Sequence, residues 1–213
     1  MSATRRGERI EHDVYLTPDE VAVAIVARIA PLLDREPERI LEPSAGAGAF
    51  VRAARARWPD ATIHAMDIRP DTRTALVLAG ADRALEEVDF LTIQASPIYD
   101  LVLGNPPFGR DTGRRGKKGK PIMEAIFHEH AAHAVAMTRP GGLTSQLLRL
   151  NVLGSLGRLT YWQAMPLRHI DVLVPRFSFT GGGTDSIEYG NFRFMPGWAG
   201  AWTGDVWGWR GDA

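Results

Sequence analysis

The sequence predicts one α/β domain whose mostly parallel sheet has seven strands and helices on both faces. Three observations carry this prediction. Short apolar runs alternate with helix-like stretches along most of the chain, the pattern of a doubly wound sheet. The fourth such run, Tyr99 to Leu103, is compact and apolar, as a strand buried on both faces must be. A glycine turn, Ser44 to Gly48, joins the first strand to the next helix, the place where open α/β sheets receive ligands.

The elements follow in order. Thr17-Pro18-Asp19-Glu20 reads as a helix start, with a capping hydroxyl, a first-turn proline and acids at the positive helix end. That helix runs to about Leu33, and Arg39 to Glu42 makes a short strand. A helix rich in Ala and Arg follows the glycine turn and ends near Trp58-Pro59. The second strand, Thr62 to Met66, delivers Asp67; a helix from Thr72 to Ala79 is closed by Gly80. A third short strand leads to Val88-Asp89-Phe90, and Tyr99 to Leu103 is stopped by Gly104-Asn105-Pro106-Pro107. A basic loop then precedes a helix from Pro121 to Thr138, a strand from Leu143 to Leu150 and a helical stretch around Ser155 to Met165. Two strands, His169 to Val174 and Ile187 to Phe194, close the sheet as a hairpin, which implies an antiparallel strand at one side. Residues 1–197 are read as a single domain, and 198–213 as a tail in which Trp198, Trp202, Trp207 and Trp209 stand among glycines.

Composition narrows the classes of function. With 213 residues, 45% hydrophobic and 23% charged, the chain suits one well-buried globular domain. No apolar run approaches the roughly 20 residues of a membrane span, and the charged N-terminus lacks a signal-peptide core, so a cytoplasmic location is expected. There is no cysteine, which removes disulfides, thiolate metal sites and thiol nucleophiles together. Formal net charge is zero, yet Arg110, Arg114, Arg115, Lys117, Lys118 and Lys120 crowd one short segment against Asp111 alone. Such a run is either a solvated loop or a seat for a polyanion. His128, His130 and His133 lack zincin spacing, because Ala132 holds the required position; helix-surface histidines and no metal are the expectation.

Four strands end in residues suited to a nucleotide-like ligand. Glycines in Glu42-Pro43-Ser44-Ala45-Gly46-Ala47-Gly48-Ala49-Phe50 let the backbone approach a ligand and present amides. Position 51 is Val51, so the third glycine of a dinucleotide fingerprint is missing. Asp67 is placed to grip a ribose diol, and Asp89-Phe90 suits an adenine amino group and ring. Asn105-Pro106-Pro107-Phe108 is the most specific string: two prolines stiffen the turn, and rigidity serves a reaction that needs close positioning.

These strings resemble the motifs of the S-adenosylmethionine-dependent adenine-N6 DNA methyltransferase family, in particular small phage-type members without a separate target-recognition domain. Glu42 to Phe50 resembles motif I, Tyr15-Leu16-Thr17-Pro18 motif X, Asp67 and Asp89-Phe90 motifs II and III, and Asn105 to Phe108 motif IV. The resemblance implies a Rossmann-like class I methyltransferase fold with S-adenosylmethionine as cofactor. Thr17, Glu42, Gly46 and Gly48 would then flank the methionine part, with Asp67 on the ribose and Asp89 and Phe90 on adenine. Tyr15, Pro18, Pro43, Ser44, Phe50, Ile68 and Asn105 complete the implied cofactor set.

On this reading the Asn105 side chain and the Pro106 carbonyl accept the two N–H groups of an exocyclic amine, and Phe108 stacks on its ring. The absence of cysteine disfavours cytosine C5 methylation, which proceeds through a cysteine adduct. Adenine N6 in DNA is the expected target, reached by base flipping. The basic run (Arg110, Arg114, Arg115, Lys117, Lys118) is expected to hold the nucleic acid. Phe179, ahead of Phe177, is the candidate for the second aromatic on the flipped base, in a loop that continues through Gly181-Gly182-Gly183. An RNA adenine, a protein glutamine, or a non-catalytic cofactor or nucleic-acid binding module remain the alternatives, and the oligomeric state is unread.

Overall fold

The computed structural model describes residues 15–179 and 186–210, with the Lys118 side chain excepted. The Gly181-Gly182-Gly183 run therefore lies outside the described residues. Strands β1 (Arg39–Glu42), β2 (Thr62–Met66), β3 (Arg83–Leu85), β4 (Tyr99–Gly104), β7 (Thr138–Arg149), β8 (Leu167–Val174), β9 (Tyr189–Phe194) and β10 (Thr203–Gly208) form one sheet. Its order is β10-β8-β9-β7-β4-β1-β2-β3, parallel except for β9, which runs against both β7 and β8. A separate hairpin pairs β5 (Gly109–Arg115) with β6 (Pro121–Ala125). The helices are α1 (Asp19–Ile29), α2 (Ala49–Arg57), α3 (Arg73–Leu78), α4 (Phe127–Met137) and α5 (Leu159–Ala164).

The alternation of apolar runs places the first four strands and their helices where expected, because β1, β2 and β4 are largely buried and α1 and α2 each have one apolar stripe. In α1 that stripe is Val21, Ala22, Ile25, Val26 and Ile29. It meets Phe50, Val51 and Ala54 of α2 and Ile40 and Leu101 of the sheet in one core. On the other face Phe127 and Ala131 of α4 pack on Leu148, Ile170 and Phe192.

Five expectations are corrected. Among the described residues the sheet has eight strands rather than seven, because the Trp-rich tail supplies β10 in parallel register with β8. The antiparallel strand is not at one side; β9 is inserted between β7 and β8. The basic segment is a strand pair rather than a loop. Arg110 stands opposite Glu124, and their side chains bond at 3.0 Å, a cross-strand partner that charge counting over residues 110–120 does not reach. The helix expected from Pro121 begins only at Phe127, since residues 121–125 are taken by β6. The start of α1 also differs: Pro18 is its cap position and no side chain caps it.

Candidate active site

The carboxyl ends of β1 and β4 converge on one cleft. Its lining includes Tyr15, Thr17, Ser44, Gly46, Phe50 and Asn105, so the turn after β1, the segment before α1 and the tetrad share a wall. Gly46 and Gly48 have φ of 58° and 84°, a region where a side chain is strained. At Gly48 a Cβ would also come within 2.6 Å of Ala79, so glycine is required there twice over.

Glu42 is buried at the end of β1 and accepts the Ser44 backbone N–H at 3.1 Å. Burial pushes its carboxyl from the ordinary range to about 8, opposed by the Ser44 bond and assisted by the nearby Asp67 charge. Gly104 makes this placement possible, because a Cβ there would lie 2.2 Å from the Glu42 Oε1. Pro43 is buried and Pro18 half-buried. Asp67 accepts the Gly46 N–H at 2.7 Å and is clasped by the Arg69 guanidinium at 2.9 Å. Ile68, next to it, is exposed.

Asp89 is half-buried, and its Oδ1 accepts the Leu91 N–H at 2.9 Å, capping the short turn that follows β3. Phe90 departs from the expected role. Its ring is in the core with Leu41, Met66 and Val102, and it meets His133 edge-on at a centroid distance of 4.5 Å.

The tetrad sits at the end of β4. Asn105 Nδ2 donates to the Tyr15 carbonyl and to Thr17 Oγ1, both at 3.2 Å. The carbonyl can only accept, so the amide orientation is fixed. The Thr17 hydroxyl, expected as a helix cap, holds the tetrad instead. Asn105 Oδ1 is thereby turned the other way, buried and without a hydrogen-bond partner. A buried acceptor left unpaired costs about 1–3 kcal/mol, so such an atom marks a ligand-facing position better than a packed one.

Aromatic rings gather beside it. Tyr15 meets Phe108 at 5.7 Å and Phe179 at 5.5 Å, both edge-on, and Tyr189 meets Phe179 at 5.1 Å. Phe177 is 3% exposed and packs toward Trp209, whereas Phe179 is half-buried beside Tyr15. The Arg149 guanidinium carbon lies 4.1 Å from the Phe108 ring centroid and 5.2 Å from that of Tyr15. Pro106 is buried and Pro107 half-buried.

The β5–β6 hairpin starts directly after Phe108 and is exposed over nearly its whole length. Arg110 pairs with Glu124 and Arg115 with Asp111, both at 3.0 Å; Arg114, Lys117 and Lys120 point to solvent without an ion pair among the described residues. The Lys118 side chain lies outside the described residues. Of the α4 histidines one is corrected from its expected surface position: His130 is buried against Phe90, and burial holds its pKa down to about 4, while His128 and His133 are half-buried.

Sequence reasoning does not single out Gly104, Arg69, Arg149 or Tyr189. For Gly104 the available signal is its place directly before the tetrad. Arg149 and Tyr189 face each other only through the β7–β9 register, which no local motif announces.

Comparison with known proteins supplies the family and the fold. No family model matches the chain. The type II methyltransferase M.CvrRI of Paramecium bursaria Chlorella virus XZ-6E is 32% identical over 154 residues, covering 70% of this chain and 39% of that relative's length. The methyltransferase subunit of a type I restriction-modification system from Streptococcus thermophilus superposes with a TM-score of 0.64 at 16% identity, over 87% of this chain and 45% of its own. A Listeria monocytogenes protein described as a class I S-adenosylmethionine-dependent methyltransferase gives 0.64 at 14% identity, over 94% of this chain and 68% of its own. The chain has the class I methyltransferase fold and belongs to the family of methyltransferases that the viral type II enzyme represents.

Proposed function

We propose that the chain methylates adenine N6 in DNA with S-adenosylmethionine as donor. The observation that carries this reading is the buried, unpartnered Asn105 Oδ1 at the mouth of a glycine-cradled cleft. The residues fit the donor: Gly46 and Gly48 give a side-chain-free turn, Glu42 and Asp67 are acids at successive strand ends, and Ile68 offers an exposed apolar contact. Asp89 is the polar partner for the donor's adenine, while Phe90 acts by supporting it from within the core. The bound donor supplies an electrophilic methyl on a sulfonium.

An exocyclic amine is a poor nucleophile because its lone pair is delocalised into the ring. Asn105 Oδ1 accepts one of its N–H bonds and the Pro106 carbonyl the other, drawing the nitrogen toward tetrahedral geometry. The Tyr15 and Thr17 bonds to Nδ2 hold that acceptor still, and two prolines keep the turn from relaxing. Phe108 and Phe179 offer rings for the planar substrate. The exposed cations of the hairpin support a polyanionic partner, which favours nucleic acid over a glutamine side chain.

Incubation with methyl-labelled donor and separate DNA, RNA and protein pools tests the reading. Label is expected in DNA as N6-methyladenine after digestion to nucleosides. Label confined to RNA or protein refutes the DNA assignment.

A further inference from the structure

Arg149 is the last residue of β7, beside Tyr189 of β9 in the sheet register. It is half-buried, its guanidinium carbon is 4.1 Å from the centre of the Phe108 ring, and its Nε is buried with no hydrogen-bond partner. Among the described residues no carboxylate pairs with it. The guanidinium is held against two rings, Phe108 and, farther off, Tyr15, contacts of the order that exposed to partly desolvated cation–π pairs provide. The guanidinium is planar and stacks on aromatic faces as a base does. It therefore covers a ring face that the tetrad offers to its substrate.

We propose that Arg149 is a displaceable plug that mimics the target base: it stacks on Phe108 until a planar amine takes its place. The idea rests on the tetrad being the methyl-acceptor site. Displacement gives Nε and the guanidinium a route to solvent, so a substrate must compete with an internal occupant. Arg149 is on this account a positioning residue that sets selectivity against weakly held bases, not part of the methyl transfer.

The test uses single-stranded oligodeoxynucleotides of random sequence, some carrying 2-aminopurine in place of adenine, with the full chain. Removing the plug in Arg149→Met is expected to lower KM for methylation about 3- to 10-fold, leave kcat near wild type, and raise 2-aminopurine emission in the complex. Arg149→Lys keeps the charge without the planar fork and is expected to shift KM in the same direction. A rise in KM for Met that Lys restores assigns Arg149 to phosphate binding and overturns the plug. Unchanged KM and emission in both variants also overturn it. If the Met variant does not fold, the Lys variant decides by the same criteria. Wild-type chain that neither methylates the oligonucleotide nor binds it refutes the acceptor-site reading itself, an outcome distinct from a working enzyme indifferent to Arg149.

Discussion

Asn105 is oriented by two bonds to a segment far away in sequence, and this makes its removal informative. In Asn105→Ala one transition-state acceptor is removed while the cleft walls remain. Loss of about 10²–10³-fold in kcat is expected, with donor binding, followed by calorimetry, changed far less. Thr17→Val keeps the shape but frees Nδ2 from one anchor; a smaller loss in kcat is the expected companion. Glu42 gives a second prediction at the same scale. Its carboxyl is raised by burial to about 8 from an ordinary 4.5, so the folded state holds a proton that the unfolded state releases. Its contribution to stability is fully present below pH 4.5 and disappears as pH rises through 8. Glu42→Gln should flatten the decline of Tm across that window. An identical pH slope in both proteins would contradict the assignment.

The hairpin is the element whose function is most separable from the fold. A two-stranded ribbon exposed on both sides has little stability of its own, and its free cations favour a partner that supplies phosphates. Replacing Arg114, Lys117 and Lys120 by alanine should leave Tm unchanged and reduce the salt slope of DNA binding by about 0.9 for each phosphate no longer neutralised. An unaltered slope would remove the hairpin from the interface. Elements are legible in the sequence to the extent that burial dictates them. Strands β1 and β2 and the helices after them are readable residue by residue, because apolar period and glycine turns coincide there. The hairpin is not, since its strands bury nothing and are held by Arg110–Glu124 and Thr112–Ile122 bonds across a turn. The turn from Glu42 to Gly48 and the string from Asn105 to Phe108 are legible as strand-end turns because each is contiguous. The setting of Phe90 is not, because an aromatic beside an acid looks the same in sequence whether its ring faces ligand or core.

At the scale of the whole molecule, the tail is part of the sheet rather than an appendage. Trp209 is buried, its Nε1 donates to the Pro175 carbonyl at 2.6 Å, and its ring meets Phe177 at 6.1 Å. Trp209→Ala is expected to destabilise the fold by about 3–5 kcal/mol, measured by urea unfolding, and to weaken activity through Phe177 and Phe179. Arg28 of α1 reaches both Asp171 of β8 and Asp205 of β10, while Asn191 and Arg193 of β9 hold the same Asp171. Arg28 thus ties α1 to β8 and β9 at the buried Asp171 and to β10 at the exposed Asp205. This seam has a consequence for how the molecule matures during synthesis. Tyr15 is made early, yet its ring partner Phe179 and the strand behind it emerge only near the end of the described chain. Pairings of such long sequence separation are slow to close, and the core beneath the β1–α2 turn itself draws on Leu173, Tyr189 and Trp209. The cleft walls and the rings beside Phe108 are therefore completed together, once the end of the described chain has been made.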